Sequence, residues 1–268
     1  MTDVPTWLQA IMNQWGEFTG TMILILIGNG VCFSVSHAKM FANQPGKWAV
    51  ISLGWGLAVF MGATVAWSIG NTNHINPAVS IWAAINELRP AILGYIPFQI
   101  LGAMTGQLIL NFINWKFIMA TAAIDPAATK SAHCTGPAFS NKEDRATIYN
   151  FAYEWVGTMV LISIILTLGR GNNANATVST TQFWGPLPAT LIVMGLGMAL
   201  GSSTGYAINP ARDLGPRLVY TMMRPLMMRK SGAELAKPDW SYAWIPVVAP
   251  LTAGLLVGGF SWINHPPI

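Results

Sequence analysis

The tripeptide Asn76-Pro77-Ala78 occurs a second time in the chain, as Asn209-Pro210-Ala211. Asparagine is a favoured N-cap residue of helices, and proline is favoured at the first helical position because its missing N–H would be unpaired there. Each copy therefore predicts the start of a short helix, over about 76–87 and 209–221. A single Asn-Pro-Ala is most often a turn, but two copies in matching surroundings indicate a paired structural element.

The surroundings of the two copies do match. The stretch Glu17-Phe-Thr-Gly-Thr-Met-Ile-Leu resembles Glu154-Trp-Val-Gly-Thr-Met-Val-Leu, with Glu, Gly, Thr, Met and Leu in register. From Glu17 to Asn76 the separation is 59 residues, and from Glu154 to Asn209 it is 55. The chain therefore contains an internal repeat.

We expect residues 1–268 to form one domain, with repeats over about 14–113 and 147–264. The intervening residues 114–146 are rich in Pro, Asp, Thr and Ser, which predicts a long loop. A second loop is predicted over about 222–240, where four methionines are expected to pack on a membrane surface.

The composition predicts a membrane protein. Hydrophobic residues make up 53% of the chain and charged residues 9%, whereas soluble domains carry about 25% charged residues. No basic segment precedes the first apolar run, so we expect that run to be retained rather than cleaved as a signal. Six runs approach the ~20 residues that span a bilayer, at residues 18–36, 48–69, 91–113, 148–168, 185–201 and 242–262.

Three spans in each half is an odd number, so the second half enters the membrane in the opposite orientation to the first. The predicted fold is an all-α membrane protein with six transmembrane helices and two re-entrant half-helices in an inverted repeat. The half-helix N-termini, at Asn76 and Asn209, then meet near the midplane. Each carries roughly half a positive elementary charge, which repels cations and protons, while the two amides can donate to neutral solutes.

These motifs resemble the aquaporin superfamily over nearly the whole chain, from Glu17 to Trp262. The resemblance implies one pore per protomer and a homotetramer in the plasma membrane with both termini cytoplasmic. The second motif continues through Arg212-Asp213 to Arg217. An Asp after the pore arginine, with a basic residue four positions further on, is similar to the glycerol-facilitator subfamily.

The resemblance also implies a selectivity filter made of Trp55, Gly197, Tyr206 and Arg212. Strict water channels place a histidine where Gly197 stands, so the glycine is expected to leave room for a larger solute. Trp55 and Tyr206 would face the carbon side of a polyol, and the planar fork of Arg212 would donate to its hydroxyls. Tyr206 departs from the commoner phenylalanine.

Two carboxylates lie at or inside predicted spans, Glu17 directly before the first and Glu154 within the fourth, where ionisable residues indicate function. The resemblance assigns Glu17 and Glu154 to scaffolds that accept backbone N–H groups of the unwound segments, and His74 to a pore-side position. A proton relay through the glutamates is the competing hypothesis. Cys32 and Cys134 lack neighbouring ligands, and we expect neither a metal site nor a cofactor.

We therefore predict a passive channel for glycerol and similar small uncharged solutes, with water, in contact with the lipid bilayer. The alternatives within this class are a channel chiefly for water, for small neutral acids such as lactic acid, or for hydrogen peroxide. A coupled secondary transporter is less favoured, and so is a structural junction protein. No nucleophile–base pair, phosphate loop or carboxylate dyad indicates an enzyme, and the scattered basic residues do not indicate nucleic-acid binding.

The charge distribution opposes the expected orientation. The positive-inside rule places Lys and Arg in cytoplasmic loops, yet on this topology the inner loops hold only Arg89 and Arg170. The outer segments hold Lys39, Lys47, Lys116, Lys130, Lys142, Arg145, Arg224, Arg229, Lys230 and Lys237. A glycosylation acceptor pattern, Asn175-Ala-Thr177, is expected on the cytoplasmic side and therefore unused.

Overall fold

A computed structural model describes residues 5–140, 145–170 and 185–264; the acceptor pattern at Asn175 lies outside them. The described chain is built of helices joined by turns. In chain order the helices are α1 (Thr6–Ser36), α2 (Lys47–Gly70), α3 (Pro77–Asn86), α4 (Tyr95–Ile113), α5 (Trp115–Thr121), α6 (Ala128–Ser131), α7 (Ala146–Arg170), α8 (Leu187–Leu200), α9 (Pro210–Ser231), α10 (Trp240–Ala243) and α11 (Ile245–Asn264), with 3₁₀ turns at Pro90–Gly94 and Gly201–Ser203.

Five helical segments are long and apolar enough to cross a membrane. They are α1, α2, α4 with its preceding 3₁₀ turn, α7, and α10 with α11. The predicted sixth span corresponds to the apolar but shorter segment Leu187–Ser203. Large apolar side chains such as Phe112, which is 83% exposed, lie on the outer surface, as expected of an integral membrane protein.

The helices pack in a pattern that repeats between the two halves. The first span of each half packs against the third, α1 against α4 and α7 against α11, and the two second spans, α2 and α8, pack against each other. Each half-helix packs against the third span of the other half, α3 against α11 and α9 against α4. This exchange places the start of both half-helices in the centre of the bundle.

Small residues allow the central helices to approach closely. A Cβ atom added at Gly254 in α11 would lie 2.5 Å from the carbonyl oxygen of Ala78 at the start of α3. One added at Gly102 in α4 would overlap the carbonyl oxygen of Phe18 in α1. Neither position accommodates a side chain unless backbone moves.

The predicted loops are more ordered than expected. The second half-helix, predicted to end near residue 221, continues as α9 to Ser231 through Pro225, so the predicted loop over 222–240 is wrong in its first half. The Tyr220 hydroxyl donates to the carbonyl of Ala236, and Met227 is fully buried. Packing against the returning chain therefore outweighs the local preference of proline to end a helix. The predicted loop 114–146 contains α5 and α6.

Candidate functional site

The two Asn-Pro-Ala motifs start half-helices that meet. Asn76 and Asn209 have extended backbone and act as N-caps: the Asn76 side chain accepts from the N–H of Ala78 at 2.9 Å, and the Asn209 side chain accepts from the N–H of Ala211 at 3.0 Å. Proline occupies the first helical position in both. The local chemistry of the tripeptide thus sets both helix starts.

Each asparagine also reaches across to the other half. The amide nitrogen of Asn76 donates to the carbonyl oxygen of Ile208 at 2.9 Å, and that of Asn209 donates to the carbonyl oxygen of Ile75 at 2.8 Å. An amide nitrogen carries two N–H donors, so each can make this bond and still offer a second donor. The reciprocal pair locks the two half-helix N-termini together.

The residues before each motif have unusual backbone. Ile75 has a φ of 44° and Ile208 a φ of 42°, in the left-handed region that is costly for a β-branched residue. Such conformations cost about 1–3 kcal/mol each and persist only when the surroundings hold them. In this chain two buried carboxylates hold them.

Glu17 holds the first unwound segment. Its two carboxylate oxygens accept from the N–H of His74 at 2.8 Å and of Ile75 at 2.7 Å, and from the side chains of Thr72 and Gln99 at 2.7 Å each. The side chain is fully buried. Hydrogen bonds to an ionised acceptor are about twice as strong as neutral ones, so the carboxylate compensates the strain of the segment.

Glu154 occupies the equivalent place in the second half. It accepts from the N–H of Ala207 at 2.9 Å and of Ile208 at 2.8 Å, and it is also fully buried. His74 donates its backbone N–H to Glu17, and Nδ1 of its imidazole lies 3.1 Å from the hydroxyl oxygen of Ser80. Within the described ranges no group of three His, Cys, Asp or Glu side chains has the arrangement of a metal site.

Two cavities enter the bundle. The first, here the motif cavity, has a volume of about 340 Å³ and is lined by both asparagines, His74, Trp55 and Tyr206. The second, here the lysine cavity, has a volume of about 380 Å³ and is lined by residues that include Lys47, Trp48, Cys32, Lys130 and Thr135. Arg212 lines both cavities. The boundary between the two cavities therefore lies at Arg212.

Arg212 is packed against an aromatic ring. Its guanidinium carbon lies 3.9 Å from the centroid of the Trp55 ring, a cation–π contact. The residue is 6% exposed. Among the described residues no carboxylate lies within ion-pair distance of the guanidinium. Its positive charge can therefore interact with a solute in either cavity.

Tyr206 fills the space that Gly197 leaves. A Cβ atom at Gly197 would lie 2.8 Å from Cζ and from the hydroxyl of Tyr206, and one at Gly201 would lie 2.5 Å from Cδ1 of the same ring. The missing side chain of Gly197 makes room for the aromatic ring, and the place of Gly197 in the selectivity filter stays a prediction. Tyr206 lines the motif cavity, and Gly197 lines neither cavity.

Sequence reasoning missed the residues that hold this ring. The indole N–H of Trp48 donates to the carbonyl oxygen of Gly197 at 2.8 Å, and its ring meets Tyr206 edge-on at 5.9 Å between centroids. The Ser52 hydroxyl lies 2.9 Å from the position of a Cβ at Gly197. A signal was available, because Trp48, Ser52 and Trp55 share one helix face at i, i+4 and i+7.

Asp213 lies behind the cavities rather than in their walls. It is fully buried and accepts from the N–H of Thr135 at 2.8 Å, from the Thr135 hydroxyl at 2.6 Å, and from Nε of Arg217 at 2.7 Å. Thr135 lines the lysine cavity. Asp213 therefore ties the segment between the halves to the helix that carries Arg212.

A helical bundle with two half-helices joined tip to tip, and with one cavity on either side of a buried arginine, defines a membrane channel of the re-entrant-helix class. The chain belongs to the major intrinsic protein family, whose model matches residues 5–262.

Named relatives and a solved structure agree with this assignment. The chain is 40% identical over 252 residues to the probable glycerol uptake facilitator protein of Mycoplasmoides gallisepticum, covering 92% of this chain and 94% of the relative. It is 41% identical over 251 residues to the glycerol uptake facilitator protein of Streptococcus pneumoniae, covering 92% and 97%. The X-ray structure of the aquaglyceroporin from Plasmodium falciparum matches with a TM-score of 0.73 and 26% identity, covering 96% of this chain and 98% of that one. The predicted fold class is thus confirmed.

Proposed function

We propose that this protein is a passive channel for glycerol and similar small uncharged solutes, together with water, and that it excludes ions and protons. The observation that carries the proposal is the contact of Arg212 with Trp55 at 3.9 Å, at the boundary of the two cavities. The glycerol uptake facilitators named among its relatives support the same solute class.

The filter of Trp55, Tyr206 and Arg212 matches the chemistry of a polyol. Glycerol has hydroxyls along one edge and C–H groups along the other. The ring faces of Trp55 and Tyr206 suit the carbon edge, and the guanidinium fork of Arg212 suits adjacent hydroxyl oxygens. Gly197 contributes indirectly, because it allows Tyr206 to pack back against α8.

Ion exclusion follows from the charges at the centre. Arg212 and the N-terminal ends of α3 and α9 all present positive charge to a passing solute. A cation that enters must shed its hydration water and is then repelled by these positive charges. The cavity walls hold few carboxylates that could compensate this cost. The amide donors of Asn76 and Asn209 can replace the hydrogen bonds of a neutral molecule at the same point.

A coupled transporter is not favoured. It would need a membrane-buried titratable pair or ion site open to the solute, whereas the carboxylates of Glu17 and Glu154 are engaged by backbone N–H groups of the unwound segments. We propose that these two residues are scaffolds and that the protein is not an enzyme. Channels chiefly for water, small neutral acids or hydrogen peroxide are likewise not favoured, since the named relatives are glycerol facilitators.

On the family resemblance we further propose one channel domain over 1–268, with repeats at 14–113 and 147–264. The same resemblance supports a homotetramer in the plasma membrane with both termini cytoplasmic, so that the lysine cavity opens outward. Cysteine-accessibility labelling of the exposed Lys116→Cys position in intact cells tests the orientation. Labelling from outside supports it, and labelling only after permeabilisation contradicts it.

The solute class is tested by stopped-flow light scattering on proteoliposomes. A hyperosmotic glycerol shock should shrink the vesicles and then let them reswell quickly, whereas a sorbitol shock should leave them shrunken. Vesicles without protein provide the control. Shrinkage without faster reswelling than in the control would mean that the channel does not pass glycerol.

A further inference from the structure

The lysine cavity carries an excess of positive charge. Three cationic side chains line it: Lys47, Lys130 and Arg212. No Asp or Glu occurs among its lining residues in the described part of the chain. A cavity of about 380 Å³ with this lining has the size of a small polyatomic ligand and the charge to hold an anion.

The carboxylates that the structure describes near the cavity leave most of that charge uncompensated. Among them, the Lys130 ammonium has one partner, Asp239, at a long 3.8 Å. Asp213 adjoins Arg212 in the chain, but its oxygens are engaged by Thr135 and Arg217. Arg212 and Lys47 have no ion pair among the described residues.

We propose that the lysine cavity binds small oxyanions of the sulfate and phosphate class, including phosphorylated polyols, and that a bound oxyanion slows polyol entry by occupying the guanidinium of Arg212. A planar guanidinium binds such groups through two parallel hydrogen bonds, and an ammonium adds a point charge. The slowing of entry rests on the proposed function; binding of the oxyanion does not.

Binding is measured first, without any flux. Sodium sulfate is titrated calorimetrically into the detergent-purified chain at constant ionic strength, with chloride as the balancing anion. Lys47→Gln and Lys130→Gln should each weaken sulfate binding by up to about fivefold, the range of a partly screened ion pair. Lys116→Gln is the matched control, since Lys116 is exposed and lines neither cavity.

Three results would contradict the proposed oxyanion site. They are no sulfate binding to the native chain, equal weakening of sulfate binding by Lys116→Gln, and native sulfate affinity in both Lys47→Gln and Lys130→Gln. Lys47 is exposed at the start of α2, so its variant remains informative if Lys130→Gln folds poorly.

Glycerol reswelling is then measured with sulfate or chloride at equal ionic strength. We expect slower reswelling in sulfate for the native chain and a smaller effect in Lys47→Gln. Sulfate binding with unchanged glycerol flux would overturn the blocking step. Sulfate binding in a chain that passes no glycerol would contradict the proposed function and leave the oxyanion site standing.

Discussion

The guanidinium carbon of Arg212 lies 3.9 Å from the centroid of the Trp55 ring, where the motif cavity and the lysine cavity meet. This contact fixes the planar fork against a rigid apolar surface. In the proposed filter, a polyol passes beside the stacked Arg212–Trp55 pair and the ring of Tyr206.

Replacement of Arg212 by lysine keeps the charge and removes the fork. We expect Arg212→Lys to lower glycerol permeability by about fivefold, since a hydrogen bond is worth about 1 kcal/mol and the stacking contact is also lost. Proton and potassium leak should stay at background, because the positive charge remains. Stopped-flow reswelling and a pH-sensitive dye measure the two quantities. The exposed Arg229→Lys is the control, and equal glycerol permeability in both variants would contradict the assigned role of the fork.

The packing of Tyr206 on Gly197 predicts a contrast between two glycines of α8. A Cβ at Gly197 would overlap the Tyr206 ring, whereas a Cβ at Gly195 meets nothing within 4 Å. Gly197→Ala should push the ring toward the motif cavity and reduce glycerol permeability by about tenfold, the effect of one extra carbon in a tight pocket. Water permeability should fall less, because water is smaller.

Gly195→Ala should leave both permeabilities at native values. Glycerol flux that is unchanged in Gly197→Ala, in a protein that is folded and still passes water, would show that Tyr206 does not border the solute path.

The scaffold role of Glu17 predicts a stability effect. In Glu17→Gln, the new NH₂ group faces backbone donors, so at least one buried N–H loses its acceptor, at a cost of about 1–3 kcal/mol. The midpoint of thermal unfolding in detergent should fall by several degrees. The Glu154→Gln variant should behave in the same way, since Glu154 also accepts two backbone N–H groups.

A proton relay would give a different pattern. It predicts a native melting temperature in Glu17→Gln together with lost pH dependence of transport. The scaffold hypothesis predicts glycerol flux that is independent of pH in the native chain.

Two buried histidines outside the spans predict acid sensitivity. His37 follows α1 and His133 follows α6, and both contact Thr129. Burial lowers the pKa of His37 from 6.5 to about 4, opposed in part by the charge of Asp125. Burial, together with the neighbouring His37, lowers the pKa of His133 to about 3, and the hydrogen bond to the Thr129 carbonyl opposes this in part.

These lowered pKa values determine how the stability of the folded protein changes with pH. A pKa below that of the unfolded chain means that the folded state favours neutral imidazole, so its contribution is complete above pH 6.5 and is lost as the pH falls toward 4. The melting temperature in detergent should therefore drop between pH 7 and pH 4. His133→Gln, which does not titrate, should show a shallower drop, and a slope equal to the native one would contradict the assignment.

The part of the architecture that can be predicted from the sequence is the part that depends on local chemistry. Asn followed by Pro favours a helix start at each motif, and the matching positions of Glu17 and Glu154 in the repeat indicate that the two starts have equivalent partners. The odd number of spans in each half then requires the two starts to approach from opposite sides. Each step depends on short-range rules or on simple counting.

The rest depends on packing between distant segments. Nothing near Gly197 in the sequence indicates that the Tyr206 ring packs where a side chain of residue 197 would lie. That contact depends on the left-handed backbone of Tyr206, with a φ of 35°, and on Trp48 from another helix. The extension of α9 past residue 221 through Pro225 was missed for the same reason, since contacts with residues 235–236 stabilise it.

Whether this protein passes glycerol passively is decided by the uptake of labelled glycerol into proteoliposomes, with and without an imposed pH gradient and membrane potential. A passive channel predicts rapid equilibration to equal internal and external concentrations, at a rate well above that of protein-free vesicles and independent of both gradients. Uptake no faster than in protein-free vesicles, or accumulation of glycerol above the external concentration when a gradient is imposed, would rule out a passive glycerol channel.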